Sequence, residues 1–513
     1  MAITSSQRTA PPRAGAWGLL IIVVLAVPAR AADWSVAPAL RLRESYSDNA
    51  LLAPPEQARG DFISEISPSL VVHGKGPRLR LDLAYSLQQI LYQRRPDRSN
   101  HQLQADANGE LLQDWLYVDA RASVSQQNVS GFGPQALDNL AVPGSQSTVQ
   151  ATQISPYLRR HLRGLGSAEL RYTHAEVSNG DALLTVKTDE LLLDLVGDTG
   201  AGGLGWDAHL DRRQTRNRRQ GTRQASKAAL SLRYMLSSHF NVFASAGYER
   251  EAYAAADGAA PGGRHWSLGL GWYPSNRSNI VVSAGKRFFG NTYAVDANYR
   301  SRRINWSLGY HEDISNTPAQ LLRLSAGETA NLLDQLWSGA MPDPQLRRRR
   351  VDTFMRFSQL LGPDVGAVNY FSEHYYLQKQ LSLSMAAATP KSTLVLGLTA
   401  TRRTAQSKIG IDSLLLPDLS AALEERTRQL GASAGWNWRL SSRSSVNASA
   451  AYGAIESLGL GRKDRNLALS VGITRTLQPK LTAALDLRRV QHSSNRGGNY
   501  RENAISASLI FQL

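Results

Sequence analysis

From Ala504 to Leu513 the chain alternates, with Ile505, Ala507, Leu509, Phe511 and Leu513 on one face and Ser506, Ser508, Ile510 and Gln512 on the other. A period of two with one greasy face and one small or polar face suits a strand wetted by lipid on one side and by an aqueous lumen on the other. The most regular case is Arg78 to Leu87, where Leu79, Leu81, Leu83, Tyr85 and Leu87 oppose Arg78, Arg80, Asp82, Ala84 and Ser86. The alternation returns in Leu116 to Val124, Trp266/Leu268/Leu270/Trp272, Ile304/Trp306/Leu308/Tyr310, Ala434/Trp436/Trp438, Leu467/Leu469/Val471/Ile473 and Leu481/Ala483/Leu485/Leu487. These apolar faces are assigned to lipid.

Two kinds of connection alternate along the chain. Short ones rich in turn formers are Gly74-Lys75-Gly76, Gln113-Asp114-Trp115, Gly164-Leu165-Gly166, Thr199 to Gly203, Ser237-Ser238-His239, Pro274 to Ser278, Thr389-Pro390-Lys391, Ser441 to Arg443 and Gln478-Pro479-Lys480. Between them lie mostly longer ones: Ser47 to Gly60, Gln93 to Asn100, Ser130 to Thr148, Asn217 to Gly221, Ala254 to Gly263, Ala405 to Glu425, Ser457 to Lys463 and Ser493 to Gly498, with Gly290-Asn291 as a tight exception. Short turns on the periplasmic side and longer loops outside are the habit of bacterial outer-membrane barrels.

The ladders number about 22, with ~16 as the lower bound, and predict an all-β, antiparallel transmembrane β-barrel. Closure is required because an unpaired backbone group in lipid costs several kcal/mol. A barrel this large leaves a wide lumen that usually needs occlusion. One stretch, Asp313 to Ala367, breaks the rhythm. Leu332, Leu333, Leu336 and Trp337 recur there at helical spacing and Arg347, Arg348, Arg349 and Arg350 follow, so it is a plug or gate at the mouth, or else an external loop.

Residues 1–31 read as a secretory signal. Arg8 and Arg13 precede an apolar run from Trp17 to Val27, and Ala29-Arg30-Ala31 offers a small-residue cleavage site. The barrel is then expected over residues 32–513. No later apolar run is long enough to span ~30 Å as a helix. Cysteine is absent, so no disulfide or thiolate metal site holds the chain together. Lys+Arg total 58 against 42 Asp+Glu, a net +16. The leader removes three arginines, and the mature chain stays basic. Such a balance suits an anionic partner, whether lipopolysaccharide phosphate, nucleic acid or an acidic polysaccharide, or it reflects arginine-rich composition alone.

Face assignment puts Arg78, Arg80, Arg121, Arg171, Arg233, Arg300, Arg439 and Arg488 in the lumen, beside Asp82, Asp106, Glu110, Asp119, Asp207, Asp296 and Asp486. Two readings stand: arginines as bidentate contacts for an anionic cargo, or arginine–carboxylate pairs that keep a polar wall satisfied. Trp266, Trp272, Trp306, Trp436 and Trp438 fall on lipid faces as a girdle, leaving Tyr117 and Tyr273 as lumenal candidates for saccharide stacking. No histidine pair has metal-ligand spacing, and no nucleophile elbow, P-loop or dinucleotide motif stands in a suitable context. No cofactor, metal or enzymatic activity is expected. The basic run Arg212 to Arg223 covers a strand end and a loop in an exported barrel, so lipopolysaccharide phosphate is its natural counter-charge and no nucleic-acid partner is expected.

The run W-S-V-A-P-A-L-R-L-R-E-S-Y-S-D-N-A-L from Trp34 to Leu51, then I-S-P-S-L from Ile66 to Leu70, resembles the start of the PEP-CTERM-system-associated outer-membrane proteins. Lys286 to Tyr293 (K-R-F-F-G-N-T-Y), Tyr299 to Arg302 and Tyr310 to Asp313 resemble the family's mid-barrel segment. The final Leu513 departs from the aromatic terminus of many outer-membrane barrels. The resemblance implies a Gram-negative outer-membrane barrel that serves exopolysaccharide export or surface assembly beside periplasmic export components. It brings no catalytic or binding residues. The alternatives are a general or anion-preferring porin and a structural or adhesive surface scaffold.

Overall fold

Each alternating segment becomes a strand that pairs antiparallel with the next along the chain. The computed structural model describes residues 33–128, 130–136, 138–141, 146–162, 164, 166–179, 185–198, 203–217, 221–251, 253, 261–316, 374–407 and 425–513. The strands are β1 (Asp33–Ser47), β2 (Asp61–Lys75), β3 (Leu79–Tyr92), β4 (Arg98–Leu112), β5 (Leu116–Asn128), β6 (Gln146–Leu162), β7 (Gly166–Asn179), β8 (Thr185–Asp198), β9 (Leu204–Asn217), β10 (Gly221–Met235) and β11 (Phe240–Arg250). They continue as β12 (Gly262–Ser275), β13 (Ser278–Arg287), β14 (Gly290–Arg300), β15 (Ile304–Asn316), β16 (Tyr375–Ala388), β17 (Ser392–Ala405), β18 (Arg426–Arg439), β19 (Ser444–Ser457), β20 (Lys463–Gln478), β21 (Leu481–Ser494) and β22 (Tyr500–Gln512). All 22 belong to one sheet, and β1 pairs with β22 from Ala39↔Gln512 to Ser47↔Ala504, so the sheet closes on itself. Closure leaves neither edge bare.

Register and exposure separate the two faces. Leu268 is 58% exposed, Val471 52% and Leu487 52%, and comparable apolar side chains stand on strand after strand. A continuous apolar surface this large cannot face water, and lipid is what covers it. Aromatic side chains rim the belt. Trp34, Phe240, Trp272, Tyr299, Trp306 and Trp438 lie toward the end of the barrel with the short turns, and Tyr46, Phe62, Tyr248, Trp266 and Tyr293 toward the end with the long loops. Among the described residues no helix is long and apolar enough to cross a membrane.

Two boundaries differ from the alternation reading. Asp313 does not begin an irregular stretch: β15 continues through Asn316, held in register by Asp313↔Gln378 and Asn316↔Tyr375. The β13–β14 turn is Phe288-Phe289, and Gly290 already opens β14 opposite Arg287.

Candidate functional site

The alternation that sends leucines to lipid sends Arg43, Glu65, Gln88, Asp464, Arg488 and Glu502 to the opposite, inner face, where they gather around residues 130–141. This segment leaves the loop end of β5 and returns to β6. Its contacts run around the arc from β16 through the β1–β22 closure to β3, a spread that a segment on the outside of a closed barrel cannot span.

Phe132 packs against Tyr376 of β16 and Ile455 of β19, and the Arg462 guanidinium lies 5.4 Å from its ring centre. Gly133, at φ +89°, donates its N–H to Asp464 Oδ2 at 2.9 Å. That left-handed conformation suits glycine. The Gln135 N–H reaches the Tyr500 hydroxyl at 3.1 Å, and Asn139 Nδ2 donates to Gln88 Oε1 at 2.5 Å. Leu140 closes a cluster with Ala50, Ile63, Ile90 and Tyr92, and its carbonyl accepts from the Tyr92 hydroxyl at 3.0 Å. Ala136 and Ala141 join Leu52, Ala451, Ala468, Val490 and Tyr500 in a second cluster.

At the middle sits Asp138. Arg488 Nη1 donates to its Oδ2 at 2.6 Å, and Arg43 Nη2 lies 3.5 Å from the same oxygen. Each arginine is also held from the wall. Arg488 Nη2 donates to Glu502 Oε1 at 2.7 Å, Ser47 Oγ donates to that oxygen at 2.8 Å, and Arg43 donates to Ser506 Oγ at 2.9 Å. Arg41 pairs with Glu65, which is 2% exposed. Withdrawal from water pushes the Asp138 carboxyl up, but Arg488 and then Arg43 outweigh it and hold the group well below the usual carboxylate range. The segment is thus tied to the wall by an ionic latch and by apolar contacts, and it lies across the loop-end half of the lumen.

The lumenal arginines expected from sequence separate into groups. Register puts Arg80, Arg121, Arg171, Arg233, Arg300, Arg439 and Arg488, with Asp82, on the inner face. Arg78 precedes β3 and donates to Gln113 Oε1 of the next turn at 3.3 Å. Arg80 pairs with Asp82 (3.1 Å), Arg121 with Asp106 (3.4 Å), and Arg171 with Asp119 (2.7 Å) and Glu169 (2.9 Å). These are the wall pairs. Arg439 donates to the Pro390 carbonyl at 2.9 Å. Of the set, Arg488 alone is brought to the inserted segment. Tyr117 stacks on Tyr157 at 5.2 Å with Arg171 3.8 Å from the Tyr157 ring centre, so that face is already occupied.

Leu332, Leu333, Leu336, Trp337 and Arg347 to Arg350 lie outside the described residues, as do residues 1–32. Among the described residues, 130–136 and 138–141 occupy the lumen, and the strand rhythm passes over them as an outer loop. Their signal is compositional: Phe132, Ala136, Leu137, Leu140, Ala141 and Val142 make the stretch too apolar for a solvated loop.

No family model matches the chain, and no curated protein matches it in sequence. Among solved structures it is similar to the FrpB iron transporter of Neisseria meningitidis, F3-3 variant, at 9% identity and TM-score 0.50, covering 93% of this chain and 82% of that one. The apoprotein form of the F5-1 variant gives 9% identity and TM-score 0.50, covering 93% and 81%. The siderophore receptor PiuA of Acinetobacter baumannii gives 8% identity and TM-score 0.49, covering 93% and 82%. At these identities the likeness concerns the fold, which is that of large outer-membrane barrels.

Proposed function

We propose that this chain is an outer-membrane conduit that its own β5–β6 segment keeps closed, and that its cargo is a secreted polysaccharide. The turn end then faces the periplasm and the loop end the outside. The observation that carries the gate is the Asp138 latch: a segment that only sealed the barrel would be served by apolar packing, whereas an ion pair facing the lumen can be exchanged for cargo or water. The polysaccharide rests on the resemblance of Trp34 to Leu51 and Lys286 to Tyr293 to a family that accompanies exopolysaccharide production. With no nucleotide pool at the outer membrane, periplasmic export components would drive the chain through.

A second reading, a porin for small hydrophilic solutes, is favoured by the paired arginines, which keep much of the wall polar and neutral. Secretion separates the two. A deletion strain that loses extracellular polysaccharide, and regains it with the wild-type gene, supports the exporter; normal release with impaired uptake of small solutes supports the porin. Planar-bilayer recording of the pure protein tests the gate itself, since removing residues 131–141 must turn a mostly closed barrel into an open one.

A further inference from the structure

At the turn end, on the inner wall from β9 to β14, lies a cavity of about 970 Å³ that the inserted segment does not reach. Its lining holds Arg233, Arg277 and Arg300 and no aspartate or glutamate. Among the described residues, no carboxylate comes within ion-pair distance of these three guanidiniums. This sets them apart from Arg80, Arg121, Arg171 and Arg488, each of which has its own acid. A cationic wall left open in this way is an anion site by Coulomb's law, and the planar forks of arginine match carboxylates in particular.

The remaining lining residues narrow the ligand. Asn241, Asn279 and Asn298 line the same space, and each amide both donates and accepts, as recognition of vicinal hydroxyls requires. Asn241 is 4% exposed, and its Oδ1 has no hydrogen-bond partner. That oxygen is packed against Gly271 rather than open to the cavity, so Asn279 and Asn298 are the amides that meet a ligand. Tyr273 adds a ring. It and Asn241 rest against Gly271, where an added Cβ would stand 2.5 Å from Asn241 Oδ1 and 2.9 Å from Tyr273 Cε2, so the glycine keeps both side chains against the sheet. The volume is that of an ordinary small-ligand pocket, on the order of 300–1,000 Å³, and is ample for more than one sugar ring.

We propose that this cavity binds a carboxylate-bearing saccharide unit, the periplasmic capture site for an acidic polysaccharide. Arg233, Arg277 and Arg300 take the carboxylates, Asn279 and Asn298 the hydroxyls, and Tyr273 the apolar face of a ring. The inference rests on the conduit reading and names its cargo class. The test is equilibrium titration of the full-length, detergent-solubilised protein with trigalacturonate, alongside maltotriose and inorganic phosphate. Saturable trigalacturonate binding is expected. Arg233→Gln or Arg300→Gln should weaken it tenfold or more, Tyr273→Ala should weaken it by a smaller factor, and maltotriose should not saturate. Each variant is first checked for the heat-modifiable mobility of a folded barrel.

Unchanged trigalacturonate binding in both arginine variants would overturn the site. Maltotriose binding as tightly would overturn the charge requirement, and phosphate competing mole for mole would reduce the cavity to a simple anion site. Because the readout is binding, its failure leaves the gate, measured as conductance, standing. A deletion strain that still secretes would instead remove the conduit reading itself.

Discussion

The arc from β16 through the closure to β3 and the arc from β10 to β15 obey the same outer rule, but only the first seats the inserted segment. On the first, the lumenal positions hold large groups that meet the inserted segment: Arg43, Ile90, Tyr92, Ile455, Arg488 and Tyr500. On the second, Gly247, Gly269, Gly271, Gly285 and Gly309 stand among Arg233, Phe243, Tyr273 and Arg300, none of which has a described contact with that segment, and three strands are short, with β11, β13 and β14 having 11, 10 and 11 residues against 15 each for β1 and β2. Lipid imposes one requirement on every outward position, whereas the lumen leaves inward positions free to specialise. One side of the barrel seats the inserted segment, and the other does not.

The largest test of that division is deletion of residues 131–141, which should raise single-channel conductance several-fold without unfolding the barrel. If conductance stays at the wild-type level, the segment does not close the lumen. Asp138→Ala should act in the same direction more weakly. It leaves Arg488 and Arg43 without their shared oxygen, a loss of about 3 kcal/mol of docking, the low end for a broken buried pair because Asp138 keeps 20% side-chain exposure. More frequent openings at unchanged thermal stability of the barrel are the expected record. Phe132→Ala removes the apolar anchor and should cost about 3 kcal/mol of docking, read as added proteolytic cleavage within the segment.

On the other arc, Gly269→Ala would bring a Cβ within 2.1 Å of the Phe243 ring, which must swing away. About 1 kcal/mol of barrel stability should be lost, seen as a lower unfolding temperature, with conductance unchanged. A conductance change there as large as in Asp138→Ala would erase the distinction between the arcs. The smallest expected effect is that of pH. Because the Asp138 pKa is lowered when latched, its contribution is fully present above the ordinary carboxylate value near ~4 and is lost only as pH falls below that, through the lowered value. Closed-state occupancy should therefore be flat from pH 8 to pH 5, and opening with a midpoint near neutrality would point to a different group.

The strands were legible because face alternation is a local property. Leu79 to Leu87 or Leu467 to Ile473 declare their lipid side within a few residues, and the short turns at Gln113 and Thr389 stand out by composition. The inserted segment was not legible, because its bonds are remote: Asp138 meets Arg488 across 350 positions and Gly133 meets Asp464 across 331. No window along the chain contains both partners. That no described carboxylate pairs with Arg233 or Arg300 was equally hidden, since it depends on which acids the neighbouring strands bring opposite them, a matter of register. The end of β15 was misplaced for a related reason: beyond Tyr310 the outward positions turn from apolar to charged at Glu312, which pairs with Lys379, so the hydrophobic signal stops before the ladder does.

The seam between β1 and β22 joins the first strand of the chain to the last. The two arginines that grip Asp138 lie on either side of it, Arg43 on β1 and Arg488 on β21. Their common carboxylate therefore has no complete berth until the final residues have been threaded and the ring zipped shut. The latch is thus a check on closure: it is complete only in a barrel whose two end strands have met.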